Sequence, residues 1–157
     1  MLQSTYMSYT TNLLYDDEPA GSFFKIMFAI VLLALLSADL YVWSIGRSSG
    51  GAVLLLVEAI VIASIFWFVL PRRYQVYEDH LRIELGGPFE VKIGFDQIAA
   101  IKITNKVGFT IHFTTTVTKT YVKIVKKKGL SIMITPKSNA LFIESANRAL
   151  REWQEKT

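Results

Sequence analysis

Two long apolar segments in the first half of the chain constrain its fold more than any other feature. Residues 26–45 (IMFAIVLLALLSADLYVWSI) and 52–70 (AVLLLVEAIVIASIFWFVL) each contain a single charged residue. At about 1.5 Å rise per residue, helices of these lengths reach roughly 28–30 Å, which is the thickness of the hydrocarbon core of a bilayer. A short segment rich in Gly and Ser, 46–51, separates them. The pattern predicts a transmembrane hairpin at 23–71, with helices at about 24–46 and 51–70.

The orientation of this hairpin is predicted by the cationic residues beside it. Lys25, Arg72 and Arg73 flank the end that carries the chain termini, whereas Arg47 alone flanks the other end. Because cytoplasmic flanks are enriched in Lys and Arg, we expect a multi-pass protein of the cell (inner) membrane with both termini in the cytoplasm. A cleaved signal peptide is the competing interpretation of the first segment, but the acidic residues before it and its length argue against cleavage.

The composition of the chain also separates a membrane part from a water-exposed part. Of the 157 residues, 52% are apolar and 19% are charged. Residues 1–70 carry two cations against five acids, and the remainder carries fifteen cations against eight acids, so the second half is the basic one. The absence of cysteine excludes a disulfide framework, a thiolate zinc site and a cysteine nucleophile.

Asp39 and Glu58 are the charged residues within the two apolar segments. Each lies six positions from the looped end of its segment, which places both carboxylates roughly 9 Å below the membrane interface. A carboxylate at that depth is expected to be protonated, hydrated or paired. One interpretation is an intramembrane acidic pair that shares a proton or binds a cation beside a partner helix. The other is that both side chains reach the headgroup layer or pair with Arg47.

After Pro71 the sequence changes to short β-type runs separated by turn residues. In one of them Leu81 and Ile83 alternate with Arg82 and Glu84, the pattern of a strand with one buried face. Candidate strands of this kind lie at 72–78, 81–85, 89–93, 98–103, 109–113, 118–125 and 130–134. Seven short strands favour a sandwich or a partly open barrel over a flat sheet.

The end of the chain and three segments carry a resemblance to a known family. Apolar residues recur at three- and four-residue steps from Leu141 to Trp153, a pattern typical of an amphipathic helix, and Ser138 or Asn139 can cap its start. The segments YQVYEDHLRIELGG, FEVKIGFDQIAAIKI and SIMITPKSNALFIESANRAL resemble the bacterial pleckstrin-homology-like (PH-like) domains of small membrane proteins, over roughly residues 72–153. In that family two transmembrane helices commonly precede the domain.

The resemblance implies a fold for the whole chain. It implies an α+β membrane protein in which a transmembrane α-helical hairpin precedes a PH-like domain at 72–157. That domain is expected to be a seven-stranded β sandwich or partly open barrel with one C-terminal helix. Residues 1–22, which include the acidic run DDEP, are predicted to form a mobile tail whose Leu13, Leu14 and Tyr15 can dock on the domain.

The resemblance also implies a binding function rather than catalysis. The family carries no catalytic motif, and its scaffold binds lipid headgroups, peptides or other subunits through loops and strand edges. Neither His80 nor His112 has a nucleophile or carboxylate at a catalytic spacing, and we expect no cofactor and no metal. We therefore expect a non-enzymatic membrane-anchored adaptor or sensor for protein or anionic lipid. The alternative is a small accessory subunit of a transport or envelope complex that uses Asp39 and Glu58.

A group of five lysines is the candidate lipid-binding site. A cation held close to an anionic bilayer contributes about 1 kcal/mol to membrane binding. The other interpretation is a solvated hairpin turn. The lysines have no adjacent aromatic stacking platform, and a membrane tether disfavours nucleic acid as a partner. Membrane lipid and a protein partner or homo-oligomer are therefore expected, and nucleic acid is not. The five are Lys119, Lys123, Lys126, Lys127 and Lys128.

Overall fold

The computed structural model describes residues 12–45, 49–106 and 108–157. The chain contains two N-terminal helices and an α+β domain of two four-stranded sheets and a C-terminal helix, and one strand of the first sheet precedes the two helices. The elements are β1 (Leu13–Asp17), α1 (Phe23–Ser44), α2 (Ser49–Val69), β2 (Arg73–Tyr77), β3 (His80–Glu84), β4 (Glu90–Gly94), a 3-10 turn (Phe95–Gln97), β5 (Ile98–Thr104), β6 (Ile111–Phe113), β7 (Tyr121–Lys126), β8 (Ile132–Ile134) and α3 (Asn139–Lys156).

The helices α1 and α2 pack side by side in opposite directions. Near the domain, the rings of Phe28 and Phe66 stack with their centroids 4.7 Å apart, and near the loop Val42 approaches Gly51. Among the described residues, α1 is the helix long and apolar enough to cross a bilayer by length and composition, and none of its apolar stretch is buried by the rest of the chain. The apolar part of α2, Val53–Val69, is shorter.

The first sheet has the order β1-β2-β3-β4 and is antiparallel throughout. The second has the order β5-β7-β8-β6, in which β6 and β8 are parallel. Apolar side chains from both sheets and from α3 form one core, because alternate residues of each strand point inward. Its largest fully buried members include Tyr74, Leu81, Phe95, Ile124 and Phe142. All seven strands predicted after residue 71 are present, and the two sheets do not close into a barrel.

The segment before α1 differs from the mobile tail that the sequence predicts. The prediction of a mobile tail is wrong for residues 13–17, which pair with β2 and raise the number of strands in the described chain to eight. Arg73 Nη1 lies 2.6 Å from Asp16 Oδ2 in an ion pair, and the ring of Tyr15 packs edge-on against Phe142. β1 supplies hydrogen-bond partners to an edge of β2 that would otherwise be open. This strand pairing outweighs the unfavourable effect of the acidic residues on strand formation. The predicted tail at 1–11 lies outside the described residues.

Candidate functional site

Backbone hydrogen bonds attach the start of α1 to the domain. The Ala20 amide donates to the Thr135 carbonyl at 2.7 Å, and the Phe24 amide donates to the Thr115 carbonyl at 3.1 Å. The Thr115 hydroxyl donates in turn to the Ala20 carbonyl at 2.8 Å. Thr115 and Thr135 are buried and follow β6 and β8, so the first turn of α1 lies against the ends of these parallel strands.

A second attachment joins the end of α2 to the turn between β3 and β4. Gly86 is buried there, and a Cβ atom at this position would overlap the carbonyl oxygen of Trp67. Gly87 has φ of 67° and lies beside the ring of Phe68, which meets Phe89 edge-on at 5.5 Å. A glycine pair is required because the turn approaches the helix backbone closely and one residue is left-handed. The end of the sheets beside these attachments is called the proximal end below, and the opposite end the distal end.

A cavity of about 800 Å³ lies at the proximal end, between the helices and the domain. It is called the junction cavity below. Its walls come from the first turns of α1, the last turns of α2 and the turn after β8. The apolar lining includes Phe28, Ala63, Phe66, Trp67 and Leu70. The charged lining comprises Glu18, Lys25, Arg72 and Lys137.

The charged lining of the junction cavity is positive, with three cations against one carboxylate. Among the described residues, Lys25, Arg72 and Lys137 form no ion pair. The Arg72 guanidinium lies over the Trp67 indole, with Cζ 4.2 Å from the ring centroid, and the Arg72 amide donates to the Glu84 carbonyl at 2.7 Å. These contacts hold Arg72 at the rim, so the cavity combines uncompensated positive charge with an apolar wall.

The distal end is identified by the course of the first sheet. β2 begins at Arg73, close to the end of α2. It ends at Tyr77, roughly 13 Å away at about 3.3 Å per residue. The Phe95 amide donates to the carbonyl of Asp79 in the turn that follows β2. The 3-10 turn that begins at Phe95 therefore lies at the distal end of the first sheet.

The five candidate lysines do not form one cluster. Lys126 pairs with Ile98, and the Lys127 amide donates to the carbonyl of Gln97 in the 3-10 turn at 2.8 Å. The turn of residues 126–128 therefore lies at the distal end, away from the helices. Lys119 lies in the loop between Thr115 and Tyr121, at the proximal end, and Lys123 lies within β7. Residues that are neighbours in sequence are thus spread along the length of a strand.

Exposed apolar residues accompany the distal lysines. Since β6 and β8 are parallel, the residues that precede them lie at the same end of the sheet, and the Ile111 amide donates to the Ser131 carbonyl at 2.9 Å. Phe109 is 91% exposed, Ile111 42% and Leu130 41%. We call the surface formed by Phe109, Ile111, Leu130 and residues 126–128 the distal patch.

Asp39 and Glu58 have different surroundings. Asp39 lies beside Val53 and Leu56 of α2, and its Oδ1 is buried without a hydrogen-bond partner. Glu58 is exposed on the outer surface of α2. No hydrogen bond joins the two carboxyl groups in the part of the chain that the structure describes.

Both histidines make local contacts. His80 Nδ1 lies 2.5 Å from Asp79 Oδ1, and its ring stacks on Tyr77 at 4.6 Å. His112 Nε2 lies 3.0 Å from the Thr110 hydroxyl. Within the described ranges, no group of three or more His, Asp or Glu side chains is placed to bind a metal ion.

The open edge at β4 carries charged side chains. Glu90 bridges Lys92 at 2.9 Å and Arg82 at 2.5 Å. The hydrogen bond from Lys92, together with the charge of Arg82, lowers the pKa of the Glu90 carboxyl. Charged edge strands oppose the addition of a further strand, so this edge is poorly suited to β-augmentation by a partner.

Sequence reasoning missed the junction cavity although two of its cations were identified. Lys25 and Arg72 were considered only as flanks that orient the hairpin, and Lys137, which lies within one of the segments that resemble the PH-like family, was given no role. The cavity depends on long-range contacts, such as the Lys137 amide donating to the Glu18 carbonyl at 2.8 Å, which leave no signal in the sequence.

Comparison with known proteins shows one similarity, which lies in the domain. No curated protein and no solved structure matches the chain significantly. Residues 72–148 match the family described as Bacterial PH domain. The match extends from the start of β2 into α3 and leaves out β1 and both N-terminal helices. The strands that follow α2 and the terminal helix therefore form a PH-like domain, which is similar to the Bacterial PH domain family.

Proposed function

We propose that the chain is a non-enzymatic membrane-anchored adaptor. The helices α1 and α2 cross the cell membrane as a hairpin, and the PH-like domain lies at the cytoplasmic face. The domain binds a partner protein through the distal patch. The observation that carries this proposal is the exposure of Phe109, 91%, beside a turn of three lysines.

Membrane anchoring is supported by the surface of the helix pair. Large apolar side chains such as Leu33, Leu40 and Leu54 are exposed around both helices, which in water would carry a large hydrophobic cost. The cations Lys25 and Arg72 lie at the end that carries the domain, which favours a cytoplasmic location for that end.

The distal patch is better suited to a protein than to the bilayer. The two attachments at the proximal end hold the domain against the helix ends, so the distal patch faces away from them. Its lysines are separated from the α2 end by roughly 13 Å of strand. That separation exceeds the Debye length of about 8 Å at physiological salt, so the potential of anionic lipid is weak there.

The chemistry of the distal patch indicates the surface that it binds. A large exposed aromatic side chain such as Phe109 is the kind of residue that anchors protein interfaces in an apolar pocket. Lysines at the rim steer an approaching surface of opposite charge. We therefore expect a partner with an apolar pocket bordered by acidic residues.

Site-specific crosslinking in intact membranes tests the proposal. A photoreactive amino acid at position 109 is expected to yield a discrete crosslinked species that disappears when Lys126, Lys127 and Lys128 are changed to Gln. The matched control places the same amino acid at Glu144, which is exposed on α3. Equal crosslinking from both positions, or crosslinking insensitive to the lysines, would contradict the proposal.

The accessory-subunit alternative rests on the buried, unpartnered Oδ1 of Asp39. It predicts that a partner contacts the helices within the bilayer. In that case, a photoreactive amino acid at Leu40 would crosslink to a partner, and Asp39→Asn with Glu58→Gln would abolish the product. Retention of the product from position 109 in the same double variant would favour the adaptor.

A further inference from the structure

We infer that the junction cavity binds the headgroup of one anionic phospholipid, with its phosphate between Lys25, Arg72 and Lys137. The inference rests on the proposed membrane anchoring of α1 and α2. It is independent of the protein-binding distal patch, which lies at the other end of the domain.

The charge of the cavity selects an anion. Three cations surround the polar part of the cavity and only Glu18 opposes them, which leaves a surplus of two positive charges. Arg72 is held at the rim by the Trp67 ring and by its own backbone hydrogen bond, so little further ordering is needed when a phosphate binds. A guanidinium can also donate two parallel hydrogen bonds to phosphate oxygens.

The apolar wall selects an amphiphile over a simple anion. Phe28, Ala63 and Phe66 lie further along the helices, away from the domain, than the cations do. Lys25 lies in the first turn of α1, Arg72 follows α2, and Lys137 follows β8. From Leu70 to Ala63 the wall extends roughly 10 Å along α2, away from the domain. An acyl chain can follow this wall while its headgroup stays among the cations.

The size of the cavity agrees with this occupant. At about 800 Å³ it is much larger than an inorganic phosphate requires. Sites for organic ligands commonly measure roughly 300–1,000 Å³. If the helices cross the bilayer, the cavity lies at the level of the headgroups, because it contains the last turn of α2 and the first turn of α1.

Native mass spectrometry of the full chain in detergent micelles tests the inference. With phosphatidylglycerol and phosphatidylcholine as probes, we expect one phosphatidylglycerol to be retained per chain. Lys25→Gln with Lys137→Gln should weaken the binding of phosphatidylglycerol roughly 25-fold, since the loss of each cation beside an anionic lipid weakens binding about fivefold. Glu18→Gln should strengthen this binding, because the opposing carboxylate is removed.

The matched control changes Lys126, Lys127 and Lys128 to Gln, which removes more charge from a surface remote from the cavity. It should retain the lipid. Ala63→Trp should displace the lipid by filling the apolar wall while leaving the charges unchanged, and circular dichroism checks that each variant is folded. Equal retention of phosphatidylcholine, or equal loss in the distal control, would overturn the inference. Displacement of the lipid by millimolar inorganic phosphate would also overturn it and indicate a phosphate site.

Carbonate extraction of membranes separates failure of this inference from failure of the anchoring. A chain released by carbonate is not anchored, and the proposed function then fails. A chain that resists carbonate but retains no phosphatidylglycerol leaves the anchoring intact and refutes the lipid site alone.

Discussion

Gly86 and Trp67 approach so closely that any side chain at position 86 would collide with the helix. A Cβ atom at Gly86 would overlap the carbonyl oxygen of Trp67 and lie 2.6 Å from its carbonyl carbon. Both neighbours are backbone atoms near the end of α2, so no rotamer change relieves the collision. The domain can therefore pack on α2 in the observed way only with glycine at this position.

The first prediction is that Gly86→Ala loosens the domain from α2. Arg72 and Arg73, where α2 connects to β2, lie near this contact and offer two cleavage sites for trypsin. Gly86→Ala is expected to accelerate limited trypsin cleavage there in the detergent-solubilised chain. The control is Gly108→Ala, because a Cβ atom at Gly108 meets nothing within 4 Å. Equal cleavage rates in the two variants would show that the close approach does not hold the domain.

The second prediction concerns Asp17, which links the N-terminal strand to the start of α3. Its Oδ2 accepts from the Ser138 amide at 3.0 Å and from the Tyr15 hydroxyl at 3.3 Å, and its Oδ1 accepts from the Glu18 amide at 2.9 Å. Asp17→Ala leaves these donors without their carboxylate. The free energy of unfolding of the domain should fall by about 1–3 kcal/mol.

Guanidinium unfolding of the full chain in detergent measures this change. Trp153 packs edge-on against Phe95 and reports on the domain when Trp43 and Trp67 are replaced by Phe. Glu144→Ala in the same background is the control, since Glu144 is exposed on α3. A loss of stability no larger than that of the control would contradict the assigned role of Asp17.

The PH-like domain was largely predictable because its strands have simple patterns. Leu81 and Ile83 alternate with polar residues, so one face of β3 is evident from sequence alone, and α3 shows a helical period. β1 was missed because Asp16 and Asp17 reduce its apolar alternation, and its stability comes from pairing with β2 and contacts with α3. Such tertiary partners are not visible in a local pattern.

The candidate sites were less predictable than the fold. Residues 126–128 and Lys119 are close in sequence, yet β7 separates them by its whole length. Lys25 and Lys137 are far apart in sequence, yet both line the junction cavity. Charged residues that are close in sequence therefore do not predict a shared surface when an extended strand separates them.

The third prediction is a loss of stability at alkaline pH that depends on Tyr74. Burial raises the pKa of Tyr74 to about 12 from its ordinary value of 10.0. The folded state therefore binds this proton more tightly than the unfolded state does. The resulting stabilisation, about 3 kcal/mol from a shift of roughly two pKa units, is complete below pH 10 and is lost as the pH rises through about 12.

Tyr74→Phe separates this contribution from other alkaline effects. The variant should lose about 1 kcal/mol near pH 8, because the hydroxyl donates to the Phe113 carbonyl at 2.6 Å. Between about pH 10 and 12 its stability should fall less steeply than that of the parent chain. The Trp153 fluorescence assay measures the free energy of unfolding of the variant and of the parent chain at each pH. If the two fall in parallel between about pH 10 and 12, Tyr74 does not titrate as described.

Single-cysteine labelling in intact cells tests the central claim, a membrane hairpin that holds the PH-like domain in the cytoplasm. The native chain has no cysteine, so each introduced thiol is the only reactive one. A membrane-impermeant maleimide should label Ser44→Cys, at the looped end of α1, from outside the cells, and should label Lys128→Cys, in the distal patch, only after the cells are opened. Labelling of Lys128→Cys from outside, or protection of both positions in intact cells, would contradict the account.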